Sequence, residues 1–257
     1  MKKILILLAL GIVFMGSCSK EDASSIDNQA VDKSQNLKAT GASAHELLSD
    51  TQFKSLVIEL VYVEGFAPTQ TTVNNLKSFL TARLYKPEGI TVRTKSIPSP
   101  GQSPYSLQEI AAIEDATRTE YNSTDQIAVW AFFTDGESAN NTSDGVVLGT
   151  AYRNTSFVIF EETIHGYSDN AFEPDRDVLE SIVTEHEFGH LLGLVNLGSD
   201  LQSDHEDADH ARHCDNQACL MYWAAETGKA IDNITSGGTI PQLDAHCIAD
   251  LQANGGK

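Results

Sequence analysis

Basic residues are scarce in this chain: 17 Lys and Arg stand against 36 Asp and Glu, a formal net charge of −19 over 257 residues. A surface so negative repels phosphate backbones and anionic headgroups, which excludes nucleic acid and a charged membrane face as partners. Long hydrophobic runs are also missing. The longest, Ile4 to Met15 in MKKILILLALGIVFMGSC, has twelve residues, too few for a permanent membrane span. Cysteine is sparse, and outside Cys18 the count is odd, Cys214, Cys219 and Cys247, so complete pairing into disulfides is excluded. No internal repeat is present.

What is there begins with Lys2 and Lys3 ahead of that apolar run and small residues before Cys18, the order of a secretory signal. Met15-Gly16-Ser17-Cys18 resembles a bacterial lipobox, which implies cleavage after residue 17 and lipidation of Cys18. The acidic residues of CSKED resemble an export signal for surface lipoproteins. The expectation is anchorage to the outer membrane, on its periplasmic face or at the cell surface, with the lipid as the only membrane contact. Residues 18–44 are rich in Ser, Asp, Gln and Asn with almost no large apolar side chains, and read as a disordered tether.

From Phe53 the pattern changes. LVIELVYV (56–63), GITVRTKSI (89–97) and IAVWAFF (127–133) are apolar or β-branched enough for strands, and VVLGTAY (146–152) and SFVIFEE (156–162) are further candidates. Helical spacing of Val73, Leu76, Phe79 and Leu80 predicts a helix over 69–84, and Ile110 and Ile113 predict another over 107–121. Strands alternating with helices imply a mixed, mostly parallel twisted sheet of the α/β (α+β) class. Residues 175–194 read as a long helix with acidic residues in its first turn and Gly193 at its end. The acidic, His-rich stretch that follows, as far as His213, reads as a loop.

That long helix carries HEFGHLLGLVN. His186 and His190, four residues apart, project from one helical face and can hold one ion, and Glu187 beside them can take a proton from metal-activated water. The flanks Ile182, Val183, Phe188, Leu191 and Leu192 make the helix apolar on most sides, so these ionisable groups are buried for a reason. HExxHxxG resembles the metzincin clan of zinc peptidases. In that clan a third histidine follows the glycine by three residues, where this chain has Asn196, a poor zinc ligand.

Downstream, RHCDNQACLMYW resembles the archaemetzincins, in which a ligand histidine directly precedes C-x4-C-x-M. The resemblance implies a zincin-like fold with an antiparallel edge strand and a small C-terminal lobe, residues 45–257 forming one catalytic domain divided near residue 193. It implies His213 as third ligand, displaced by an insertion that starts at Asn196, and Met221 in the Met-turn beneath the metal. His205 and His210 in SDHEDADHARH, and Asp204, are alternative ligands in the same loop, whereas a glutamate ligand from a second helix would need Glu206 or Glu226, neither of which lies in a helical ExxxD pattern. The clan's tyrosine two residues after the methionine is Trp223 here, with Tyr222 one place early. The family's four-cysteine structural zinc site would be represented by Cys214, Cys219 and Cys247 with His246 or Asp244, unless two of the three cysteines form a disulfide, the alternative an exported chain favours. Asp200, Asp204, Glu206, Asp207 and Asp209 are dense enough to hold Ca2+, although such a run is more often a solvated loop. The implied activity is zinc-dependent endopeptidase action on peptide or protein by a monomer, with Glu187 as general base. A binding lipoprotein that keeps the fold without turnover is the alternative.

Overall fold

The computed structural model describes residues 32–143, 145–168, 173–227 and 238–257. The expected signal segment, Cys18 and the start of the tether lie outside the described residues. Five strands form one sheet: β1 (Ser55–Val63), β2 (Ile90–Ile97), β3 (Gln126–Phe133), β4 (Gly149–Arg153) and β5 (Ser156–Ile159), in the order β2-β1-β3-β5-β4. β1 runs parallel to β2 and β3, β5 parallel to β3, and β4 alone is antiparallel, pairing Gly149 with Ile159 at the sheet's edge. Helices cover both faces, which is why the central strands are nearly continuous in apolar residues. On one face Leu56, Ile58 and Leu60 join Val129, Ala131 and Phe133 in the larger core, and on the other Val61, Val63, Trp130 and Phe132 form a smaller one.

Two of the helices start where side chains hold their free amides. Thr69 caps α2 (Gln70–Arg83) by accepting from Thr72 N, and Ser106 with Glu109 forms a reciprocal box at α3 (Leu107–Thr117). α3 ends four residues short of expectation because Arg118 turns its chain extended and sends its guanidinium to Glu114 and the Ala128 carbonyl. The expected strand 156–162 also stops early, at Ile159, and Glu161 opens a short helix, α4 (Glu161–Gly166). α5 (Arg176–Leu191) lies against α2, β4 and β5. Phe188 fixes it there, edge-on to Phe157 with ring centroids 6.1 Å apart, and truncating such a side chain costs about 3–5 kcal/mol. Past α5 the chain reverses at Gly193, φ +75°, where a Cβ would stand 2.6 Å from Ser199 N. Only glycine fits that turn.

The tether is shorter than its composition suggests. Before α1 (Ala44–Leu48), Asn36 is fully buried and its amide donates to Asn122 Oδ1 at 2.9 Å and Thr155 Oγ1 at 3.0 Å. Polar residues order this segment by hydrogen bonding to the sheet, so at least residues 32–44 belong to the domain.

Candidate metal centre

On α5, one turn separates His186 from His190, and their ring centroids lie 4.8 Å apart. The loop after Gly193 returns so that the His213 ring stacks on His186 at 5.3 Å and meets His190 edge-on at 5.1 Å. Backbone bonds hold His213 in place from both sides: Asp207 N donates to its carbonyl at 2.8 Å, and Cys214 N donates to Met221 O at 2.8 Å. A carbonyl can only accept, so His186 Nδ1 donates to Leu220 O (2.8 Å) and His213 Nδ1 to Ala211 O (3.1 Å). His186 therefore turns an unprotonated Nε2 into the centre, and His213 Nε2 faces it as well, 2.9 Å from Glu226 Oε2.

Among the described residues that centre is only partly satisfied. His186 Nε2 and both carboxylate oxygens of Glu187 are buried without a hydrogen-bond partner. Each such atom costs about 1–3 kcal/mol, and a cation among the three imidazoles would remove that cost for His186 and supply the charge Glu187 lacks. The donor set therefore fits Zn2+. Burial holds His186 well below the usual imidazole range, helped by His190 and His213, and lowers His190 too, which keeps both neutral as ligands must be. Burial, then the charge of Glu226, raises Glu187 well above the usual carboxylate range; the Ala151 amide opposes this without closing a hydrogen bond. Below the rings lies Met221, fully buried, its Sδ 2.3 Å from where a Cβ on Gly189 would stand. Glycine at 189 is what lets that sulfur reach the helix.

Glu226 is the member sequence reasoning set aside. Its Oε2 lies 2.9 Å from His213 Nε2, 3.8 Å from His190 Nε2 and 4.0 Å from His186 Nε2, close to the fourth corner of the cage. Burial pushes its carboxyl up, but hydrogen bonds from His190 and His213 outweigh that and hold it far below the ordinary range. It follows a short 3-10 turn, Trp223–Ala225, and has no helical partner motif; its place five residues after Met221 was the only available signal.

The alternative ligands go elsewhere. His210 stacks on Trp223 at 4.2 Å and its Nδ1 meets Asp207 Oδ1 at 3.0 Å, while Asp204 is exposed. The acidic run spends its oxygens on the loop's own backbone: Asp207 accepts from Asp209 N and His210 N, and Glu206 accepts from Arg212 N. His205 is buried in a second cluster. Its Nδ1 is 3.5 Å from Cys214 Sγ, and its Nε2 meets Asp250 Oδ2 at 2.8 Å on helix α6 (Ala245–Ala253).

Cys214, Cys219 and Cys247 are free thiols in this structure, the Cys219 and Cys247 sulfurs lying 3.6 Å apart, against about 2.05 Å for a bond. A tetrahedral zinc with Zn–S near 2.3 Å and Zn–N near 2.05 Å would separate two sulfurs by about 3.8 Å and sulfur from nitrogen by about 3.5 Å. The Cys219–Cys247 sulfur pair and the Cys214 sulfur with His205 Nδ1 have about those spacings, and His205, Cys214, Asp244 and Cys247 offer ligand atoms all within 4.8 Å of one another. A hydrogen bond from Cys214 first, and from Cys247, lowers Cys219 to about 3, towards the thiolate a metal requires. His246 is not part of the cluster, being exposed with Nδ1 2.7 Å from Ser203 Oγ. Asp244 is within ligand reach but serves as the α6 cap, accepting from His246 N and Cys247 N. Asp250, which orients His205, escaped sequence reasoning; a lone aspartate on the buried face of α6 was its only mark.

No protein-family model matches the sequence, and no curated protein matches it. Among solved structures, the chain is similar to the crystal structure of archaemetzincin from Methanopyrus kandleri, at 17% identity and a TM-score of 0.48, over 78% of this chain and 96% of that one.

Proposed function

We propose that the chain is a zinc-dependent endopeptidase with a zincin-like fold, residues 45–257 with the ordered segment 32–44 packed on them forming its catalytic domain and Met221 its Met-turn. His186, His190 and His213 are the zinc ligands and Glu187 the general base. One observation carries this: a fully buried glutamate with no hydrogen-bond partner stands beside three imidazoles whose ring nitrogens converge, that of His186 without a partner. Bound zinc would draw the pKa of a water towards neutrality and polarise a substrate carbonyl. Glu187 is then the group that takes the water's proton and returns it to the leaving amine. The neighbouring edge strand supports a peptide substrate. Phe160 N donates to Leu148 O, which in an antiparallel ladder leaves Gly149 and Ala151 with backbone groups turned outward, ready to pair with an extended chain. A Cβ on Gly149 would come within 2.7 Å of Glu187, so glycine keeps the strand close to the base.

A second zinc belongs in this proposal, held by Cys214, Cys219, Cys247 and His205, with Asp250 orienting the histidine. Lipid anchorage through Cys18 to the outer membrane, periplasmic or surface-facing, completes it. Glu226 favours one other reading: four protein ligands close a zinc site, and closed sites are structural. Cleavage of peptides by the zinc-loaded chain, followed by mass spectrometry, separates the two. The peptidase reading expects cleavage that a chelator abolishes, zinc restores and Glu187→Ala lacks; zinc held tightly without cleavage supports the binding protein.

A further inference from the structure

Both ends of the edge strand β4 are taken by the chain's own backbone. At its C-terminal end, residues 35–43 run past the β4–β5 turn and are pinned by the buried Asn154: its N–H donates to Lys38 O at 3.0 Å, its Oδ1 accepts from Lys38 N at 3.0 Å, and its Nδ2 donates to Gln35 O at 2.8 Å and Ser43 Oγ at 2.9 Å. Thr40 Oγ1 then donates to Ala151 O at 3.4 Å, an outward carbonyl of the edge. Gly41 presses backbone to backbone on the loop after α5, where a Cβ would fall 1.7 Å from Leu197 O. That strap is wedged, not draped. At the N-terminal end, Leu148 N donates to Glu226 O at 2.9 Å, and Val147 forms an antiparallel bridge with Thr227.

Among the described residues, the edge left open runs from Gly149 to Ala151, roughly 10 Å at about 3.3 Å per residue. The cleft it borders, with Thr40 at one side and Glu226 and His213 at the other, has a volume of about 240 Å³. A long unfolded chain needs an edge that runs on in both directions from the scissile bond, and neither direction is open.

We propose that this cleft selects short peptides, of roughly three to six residues, over long unfolded polypeptides, because Lys38–Thr40 and Glu226–Thr227 occupy the strand edge that further substrate residues would use. The inference rests on the peptidase reading. An edge open to one more residue would gain about fivefold in affinity from its backbone hydrogen bonds, so a closed one makes added length useless or harmful.

The test uses capped peptides of about four, eight and twelve residues sharing one central sequence, and unfolded casein, with the zinc-loaded full chain. The expected result is kcat/KM falling about tenfold or more from the shortest to the longest, with casein barely cut. Equal or rising kcat/KM with length, or brisk casein digestion, overturns the inference and leaves the peptidase reading standing. Binding of the same fluorescent peptides to zinc-loaded Glu187→Ala gives the length dependence without turnover: preference for the shortest supports the closed cleft and equal affinity overturns it, even where no peptide is cleaved and the peptidase reading itself fails. For a substrate paired antiparallel to β4, the strap at the strand's C-terminal end faces the substrate's N-terminal side, so Thr40→Ala, which frees the Ala151 carbonyl, is expected to relax discrimination against N-terminal extension more than against C-terminal extension; equal relaxation of both contradicts the inference.

Discussion

Two buried charged clusters sit on opposite faces of the same sheet, and they differ in whether the protein completes them. Beside α3, Glu114 accepts from Arg118 at 2.7 Å and Ser156 at 2.6 Å on one oxygen, and from Tyr152 at 2.7 Å and Arg153 at 2.9 Å on the other. Every lone pair has a donor. On α5, Glu187 is as deeply buried and has no hydrogen-bond partner, and His186 Nε2 beside it is also bare. Burial alone therefore does not mark a functional site in this fold, nor does a lone orphaned atom; a bare buried carboxylate beside converging imidazoles does, because together they form a donor set that a cation from outside would complete.

Paired substitutions make the contrast measurable. Glu187→Gln is expected to lower kcat by about three orders of magnitude while zinc content and the unfolding midpoint hold or rise, since a neutral amide is cheaper to bury there. Glu114→Ala should do the reverse: it strands Arg118 and part of Arg153, costing about 3–5 kcal/mol in denaturant unfolding, with kcat of the folded fraction unchanged. A large stability loss in the first variant, or a kcat loss at intact fold in the second, erases the distinction.

A third buried carboxylate pair tests it through pH. Burial raises Glu161 to about 8, and burial together with the charge of Glu161 raises Glu180 to about 8, from 4.5. Both therefore take up protons on folding between those values, so the stability they contribute is complete below about pH 4.5 and is lost as pH rises through about 8. Thermal unfolding should show a midpoint that falls across this interval, with a shallower slope in Glu161→Gln; an unchanged slope contradicts the assignment.

The strands and α5 were legible because periodicity and continuous apolar runs report burial directly, as in IAVWAFF and the flanks of His186. What lay beyond reach depended on distant polar partners. Composition read residues 32–44 as tether, since nothing in the sequence tells that Asn36 will find Asn122 and Thr155. Spacing left His205, His210 and His213 as rivals because a loop has no period; the bonds from Asp207 N and Cys214 N decide which ring arrives. Asp250 stayed hidden for the same reason, and Glu226 was set aside for want of a helical motif, each being defined by a histidine far away in sequence.

Zinc content after exhaustive dialysis, measured by mass spectrometry on folded wild type, His213→Ala and Cys247→Ser, tests the central claim most directly. The account predicts about two ions per chain in the first and about one in each variant, with the ion missing from His213→Ala being the one peptide cleavage requires. Full zinc retention by folded His213→Ala would contradict it, because the three-imidazole cage would then not be what holds the metal.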